Sequence, residues 1–270
     1  MANAYKIALG QFIPADTPIH SLDPRAKIIM VTAVIMMLFA THTAAAFMIW
    51  LLLLLYIARL SKIPAGALFS STKPVLMLII FTSCFHIFSS GGEKLFTLFG
   101  MSATKEGFIM AFLMSLRLAL LVMYASLLTF TTSPSRISDG LEGLMSPLSR
   151  AGLPAHDIAM MITIALRFIP TLFEETSRII KAQESRGADF ESGGPVKRAM
   201  AYIPVLVPLF VIIFRRADNL ALAMEARGYK SGKSRTRLKP LSWEKSDSMA
   251  LILLGMVSAL IIFGERLLAR

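Results

Sequence analysis

Cysteine is almost missing from this 270-residue chain, which carries only Cys84, inside the apolar run 75–88. One thiol closes no intrachain disulfide, and no CxxC pair or other metal-ligand spacing occurs. Acids are scarce as well: 17 Asp and Glu stand against 28 Lys and Arg, a formal net charge of +11. Histidine is limited to His20, His42, His86 and His156, with no HExxH motif and no Ser-His-Asp arrangement, so a catalytic or metal centre has little to be built from. The first 27 residues hold no continuous apolar stretch of the signal-peptide kind, so no cleaved leader is expected and the first span should carry the chain into the membrane.

What is abundant is apolar surface. Hydrophobic residues make up 55% of the chain and the mean hydropathy is +0.65, above the roughly 45–50% apolar content of a soluble domain. Strong positive charge and high apolarity coexist readily in a membrane protein with basic inner loops. A nucleic-acid binder would share the charge but not the apolar content, and nucleic acid is not an expected partner.

The apolar runs set an expected order of spans. Runs 28–40 and 43–58 are together too long for one helix of ~20 residues and read as a tight hairpin of two short spans. A basic loop (58–73), a third span (74–90), a mixed-charge loop (91–106) and a fourth span (107–130) follow, and a last span covers 248–264. The expected layout is a cytoplasmic N-terminal segment 1–27, a transmembrane region 28–130, a cytoplasmic or interfacial region 131–247 and a last transmembrane segment 248–270. The fold class is an all-α integral membrane protein of about five spans. With the N-terminus in the cytoplasm, Arg25, Lys27, Arg59, Lys62, Lys73 and the whole 131–247 region, which holds most of the basic residues, lie inside, as the positive-inside rule requires. Lys94, Lys105, Arg266 and Arg270 fall outside and run against it.

The region 131–247 is the informative one. Segment 131–154 opens on a Ser-Pro cap signal, ends in Gly and Pro, and reads as a short amphipathic helix. Two long helical stretches follow, 155–187 and 196–228, parted by the turn-forming cluster "GADFESGGP". Each begins apolar and ends charged, and each ends on nearly the same phrase: "ESRG" at 184–187 and "EARG" at 225–228. Aligned on Arg186 and Arg227, the two resemble an internal repeat. Pro170, Pro204 and Pro208 fall inside them and predict bent helices. In a rival arrangement, 158–173 and 199–214 cross the bilayer as two extra spans. Each is short for that, about 24 Å against ~30 Å of hydrocarbon, and Arg167 interrupts the first. Long helices lying against the inner surface or against other helices are the favoured expectation.

Arg-Gly is by itself an ordinary helix ending: glycine takes the left-handed conformation cheaply, and a cation suits the negative end of the helix dipole. Glu184 and Glu225 do not fit that simple reading, because a carboxylate at a helix C-terminus is unfavourable by ~0.3–1 kcal/mol. A device that keeps this feature twice suggests a docking surface. Two cationic tips suit a partner with two similar sockets, and arginine makes planar bidentate pairs with carboxylates. A helix of about 33 residues is a rod of roughly 50 Å, long enough to carry motion from its tip.

With "GQFIPADTPIHSLDPRAK" (10–27), "ESRGADF" (184–190), "RRADNLALAMEARGYK" (215–230) and this order of spans, the chain resembles the transmembrane T component of energy-coupling factor (ECF) transporters over nearly its whole length. The resemblance implies a non-catalytic coupling subunit of an ATP-driven importer of vitamins or other micronutrients in the cell membrane. It implies two cytoplasmic ATP-binding-cassette subunits as partners, a homo- or heterodimer that binds ATP and Mg. A separate membrane S component would capture the substrate, and this chain would bind no cofactor or metal. Arg186 and Arg227 would be the ATPase-docking residues, with Ser185, Gly187, Ala226 and Gly228 beside them and Glu184 and Glu225 preceding. Ser185 stands where alanine is commoner. The N-terminal phrasing resembles the T component shared among several S components more than the dedicated cobalt or biotin type.

Other features weigh less. "GYKSGKS" (228–234) has three residues between its glycines where a P-loop needs four, and it follows a helix instead of a strand. The basic run Arg227, Lys230, Lys233, Arg235, Arg237, Lys239 reads as a tether to anionic lipid. Arg117, in mid-span, is either functional or paired inside the bundle, and His86 reads as a packed residue. The 17 methionines fill irregular gaps and also suit a surface that repacks against different partners. A stand-alone carrier or channel would want acids within the spans, which are missing there. A membrane enzyme would want a catalytic constellation.

Overall fold

The computed structural model describes residues 12–98, 101–147, 155–229 and 241–268. Its contacts divide the chain into a bundle unit, residues 10–144 with 241–270, and a second unit, residues 145–240 with 1–9.

The bundle opens with the short α1 (Pro18–Ser21), capped by the Thr17 hydroxyl. Helix α2 (Pro24–Ala40) starts from "LDPRAK": the Asp23 carboxylate accepts the Arg25 N–H at 2.8 Å, and Pro24 occupies a first-turn position where its missing N–H costs nothing. Three residues then reverse the chain into α3 (Ala44–Leu60), capped by Thr43. These are the expected hairpin of short spans, each 17 residues or about 26 Å long. Helix α4 (Ala65–Ser71), a 3₁₀ turn (Lys73–Val75) and α5 (Leu76–Ser89) follow. Much of α5 is bare apolar surface, with Met77, Phe81 and Phe85 exposed, as suits lipid.

Loop 91–106 is more structured than the sequence suggests. Strands β1 (Lys94–Leu98) and β2 (Met101–Thr104) pair antiparallel and lead directly into α6 (Lys105–Thr131). The Thr104 hydroxyl accepts the Gly107 N–H at 3.1 Å. Gly107 also lets α6 close on the end of α5, since a Cβ there would lie 2.8 Å from the Ile87 carbonyl oxygen. Helix α7 (Pro134–Met145) is the short helix expected in 131–154; residues 148–154, where its Gly-Pro ending was expected, lie outside the described residues. The unit closes with α11 (Lys245–Leu268).

The core lies among α2, α3, α6 and α11. Trp50, Phe47, Leu54, Leu120 and Tyr124 are fully or almost fully buried. Tyr124 donates its hydroxyl to the Trp50 carbonyl at 2.8 Å, and the two rings meet edge to face.

The second unit holds α8 (Ala155–Ser185), α9 (Pro195–Ala201) and α10 (Ile203–Ala226). The first rod is continuous through Pro170. The second departs from expectation: it is interrupted at Tyr202, and Pro204 lies in the first turn of α10 and not in a helix interior. Proline is tolerated there, and its ring discourages helical backbone in the residue before it. Pro208 is the interior proline of this rod.

Among the described residues, four stretches are long and apolar enough to cross a membrane: 65–89, 105–131, 195–226 and 245–266. With the shorter apolar α3 beside them, the fold is that of an all-α membrane protein with one small β-hairpin.

Candidate functional site

The two Arg-Gly phrases end their helices in the same way. After α8, the Gly187 N–H donates to the Glu184 carbonyl at 2.9 Å and the Ala188 N–H to the Gln183 carbonyl at 3.0 Å. After α10, the Gly228 N–H donates to the Glu225 carbonyl at 2.8 Å and the Tyr229 N–H to the Met224 carbonyl at 2.9 Å. Both are Schellman endings, with glycine left-handed at φ +88° and +71°. Arg186 and Arg227 therefore occupy the same last position before the chain turns away. Residues Glu184, Ser185, Arg186 and Gly187, and equally Glu225, Ala226, Arg227 and Gly228, are all exposed. The Ser185 hydroxyl donates back to the Lys181 carbonyl at 3.0 Å, so it takes up the place of an alanine without a loose polar group.

Beyond the first tip the chain is tied down. The Asp189 carboxylate accepts the N–H groups of Glu191 and Ser192 and the Ser192 hydroxyl. These bonds, with the Ser192 hydroxyl foremost, hold its pKa down to about 2. The basic residues Lys230, Lys233, Arg235, Arg237 and Lys239 lie outside the described residues.

Inter-rod contacts fix the relation of the tips. Gln183, near the end of α8, donates to the carbonyl of Pro204, at the start of α10, at 3.5 Å. That carbonyl has no helical donor, because the residue four further on is Pro208. Midway, Arg216 Nη2 meets Glu175 Oε1 at 2.8 Å. At the other end, the Tyr229 hydroxyl reaches the Met160 sulfur at 2.9 Å. The rods are thus antiparallel, and Arg186 and Arg227 stand at opposite ends of the pair. The sequence suggested two helices ending in similar tips that suit one partner with two sockets; it carried no signal for Gln183, Glu175 or Arg216, whose partners are distant in the chain.

The bundle unit holds a second polar arrangement that sequence reading did not find. Lys27, buried, donates to the carbonyls of His20 (3.2 Å) and Thr131 (3.1 Å) and to the Thr132 hydroxyl (3.2 Å). Asp247, also buried, accepts the N–H groups of Asp23 and Glu244, each at 2.8 Å. This node ties the start of α2, the end of α6 and the start of α11, and it explains physically what "LDPRAK" is for. At the far ends of the same helices, Glu265 accepts the N–H groups of His42 and Thr43 and the Thr43 hydroxyl at 2.8–2.9 Å.

Arg117 is engaged within the bundle. It donates to the Thr41 carbonyl and lies 5.5 Å from the Phe47 ring centroid. The short Thr41 turn is therefore held from two sides, and this arginine has a structural partner. His86 sits in the last turn of α5 with its ring edge-on to Phe85.

The chain is similar to known proteins along most of its length. The family model described as cobalt transport protein (CbiQ) matches residues 15–238. A curated relative from Thermanaerovibrio acidaminovorans is 50% identical over 266 residues, covering 98% of this chain and 99% of that one. Another from Acidaminococcus fermentans is 47% identical over 257 residues, 95% and 96% of the two chains. A third, from Brevibacillus brevis, is 46% identical over 247 residues, 91% and 93%. All three bear the name energy-coupling factor transporter transmembrane protein EcfT.

Proposed function

The chain belongs to the EcfT family, the transmembrane T components of ECF transporters, and from that premise we propose that it transmits ATP-driven motion from two cytoplasmic ATPase subunits to a substrate-binding S component. Arg186 and Arg227 are the side chains that dock, one to each ATPase subunit. Ser185, Gly187, Ala226 and Gly228 shape the tips, and Glu184 and Glu225 complete the surface each subunit meets. ATP and Mg belong to the partners, and this chain acts without catalysing a reaction. The observation that carries the reading is the identical cap geometry of two exposed arginines on paired rods.

For one cytoplasmic machine to reach both tips, the antiparallel rods must lie along one face of the bilayer; rods that crossed it would put the tips on opposite sides. Chain parity supports the flat arrangement. Thr131 and Asp247 meet the same node around Asp23 and Lys27, so the segment between them leaves and returns at one level of the bundle. Such a segment crosses an even number of times. Within it, 195–226 is long and apolar enough to cross and α8 is not; one crossing alone would be odd. The basic residues Arg25, Lys27, Arg59 and Lys62 lie at the helix ends on the level of the node, which favours a cytoplasmic N-terminus in the cell membrane.

A T component shared among several S components fits the exposed, pliable methionines Met36, Met77, Met161, Met200 and Met256 better than a dedicated one. The imported substrate would be a vitamin or similar micronutrient held by the S component.

Replacing Arg186 and Arg227 together by glutamate is expected to abolish co-purification of the ATPase subunits while the chain still inserts in the membrane. Recovery of those subunits at wild-type levels would sink the reading. Cysteines at Ser185 and Ala226 should both be labelled from the cytoplasmic side only.

A further inference from the structure

The two rods carry a symmetry that goes beyond their matching ends. The 41-residue offset that sets Arg186 on Arg227 also sets Glu175 on Arg216, and these two equivalent residues are bonded to each other. In a pair related by a twofold axis, a residue meets its own equivalent only on the axis; other contacts fall to either side. The remaining contacts do so here. Gln183 and Pro204 meet on one side of the ion pair, Met160 and Tyr229 on the other.

Chemistry explains why this position is charged. An exact duplicate would set like against like on the axis, and like charges would repel. Two diverged copies can place opposite charges there, as Glu175 and Arg216 do. Both side chains are half-buried, 22% and 31% exposed, so the bond is screened less than a bond at the exposed tips would be.

We infer that the Glu175–Arg216 ion pair sets the register of the antiparallel rods and is the positioning contact that fixes the spacing of the two arginine tips. Arg186 lies 11 residues beyond Glu175, and Arg227 lies 11 beyond Arg216. At 1.5 Å per residue each tip stands about 16 Å from the ion pair, so the tips are separated by about 33 Å along the rods. The role inferred for the pair is to hold the tips in place. Its bearing on transport rests on the docking reading; the spacing itself is a property of this chain alone.

Distance measurement between spin labels tests it. Labels are placed at Ser185→Cys and Ala226→Cys, in a Cys84→Ser background, in the full chain reconstituted in lipid nanodiscs. One narrow distance distribution is expected, centred at about 30–40 Å given the rise per residue and the label arms. Glu175→Arg, and separately Arg216→Glu, should broaden it, and the double reversal Glu175→Arg with Arg216→Glu should restore the narrow peak. Should a single reversal fail to fold, Glu175→Gln keeps the size, removes the charge and should broaden the distribution in the same way. A distribution unchanged in the single variants, or one that stays broad in the double reversal, overturns the inference. No ATPase is needed, so this result stands apart from the docking of the tips. In the assembled transporter, the single reversals should retain the ATPase subunits yet import several-fold less substrate per ATP hydrolysed, and the double reversal should recover that ratio.

Discussion

Asp247 accepts the backbone N–H of Asp23 at 2.8 Å across 224 residues of chain. The same carboxylate accepts the Glu244 N–H at the start of the last helix. One side chain thus stitches the last span to the first, in a place closed to water. Asp247→Ala would leave two N–H groups without their acceptor, at about 1–3 kcal/mol for each that stays dry. Asp247→Asn keeps one acceptor oxygen and should lose less. The unfolding midpoint of the purified chain in detergent should fall clearly for alanine and by a smaller amount for asparagine.

Glycine at the two tips is required by conformation and not by space. A Cβ on Gly187 or Gly228 would meet nothing within 4 Å, yet both have positive φ. Alanine at either position should therefore cost about 1–2 kcal/mol of cap stability, the ordinary penalty for an L-residue in that region. Asparagine, which tolerates it, should cost less. ATPase co-purification should drop several-fold in Gly187→Ala with Gly228→Ala and remain closer to wild type in the double asparagine chain.

His20 gives the bundle unit a pH dependence. Its Nε2 faces the Ile13 carbonyl at 3.0 Å and must carry the proton, so Nδ1, 2.7 Å from the Thr17 hydroxyl, is the acceptor. Burial is the main cause that lowers its pKa below the usual 6.5, with the Lys27 charge adding to it. A folded-state value below the unfolded one means the unfolded chain takes up the proton first. The contribution to stability is complete above pH 6.5 and is lost as pH falls through the lower folded value. Thermal unfolding from pH 7.5 to 5 should show this loss in the wild-type chain and a flatter profile in His20→Gln.

Arg117 should prove structural. Its guanidinium holds the Thr41 carbonyl and covers Phe47. Arg117→Met retains the stem and removes the partly buried charge, and such replacements are often near neutral, so a change under about 1.5 kcal/mol is expected. Arg117→Ala, which also opens a cavity, should cost more. Import by the Arg117→Met transporter should stay near wild type; a chain that folds as well as wild type but fails to import would assign this arginine a role in transport.

The spans and the rods were legible in the sequence because apolar runs, caps and glycine endings are local signals. Helices α2 and α3 lie within a few residues of the runs 28–40 and 43–58, and α8 and α10 stop at the expected tips. What stayed hidden has two physical causes. One is competition between local rules: Pro204 looked like an interior kink, but proline fits a helix start, and α10 begins there instead. Strands 94–98 and 101–104 are held by pairing with each other, which the mixed charges of that loop masked. The other cause is distance. Lys27 with Thr131, Asp23 with Asp247 and Glu175 with Arg216 are pairs that no window along the chain contains. The matching phrases at 184–187 and 225–228 announced two equal tips, while their opposite placement came only from the contacts between the rods.

That opposite placement has a mechanical consequence. Tips at opposite ends of an antiparallel pair, about 33 Å apart along the rods, give any sideways load a long lever arm. Oppositely directed sideways forces at the two ends cancel as a shove and add as a torque. Such a load would turn the pair before it moved it, while two forces in the same direction would carry it bodily.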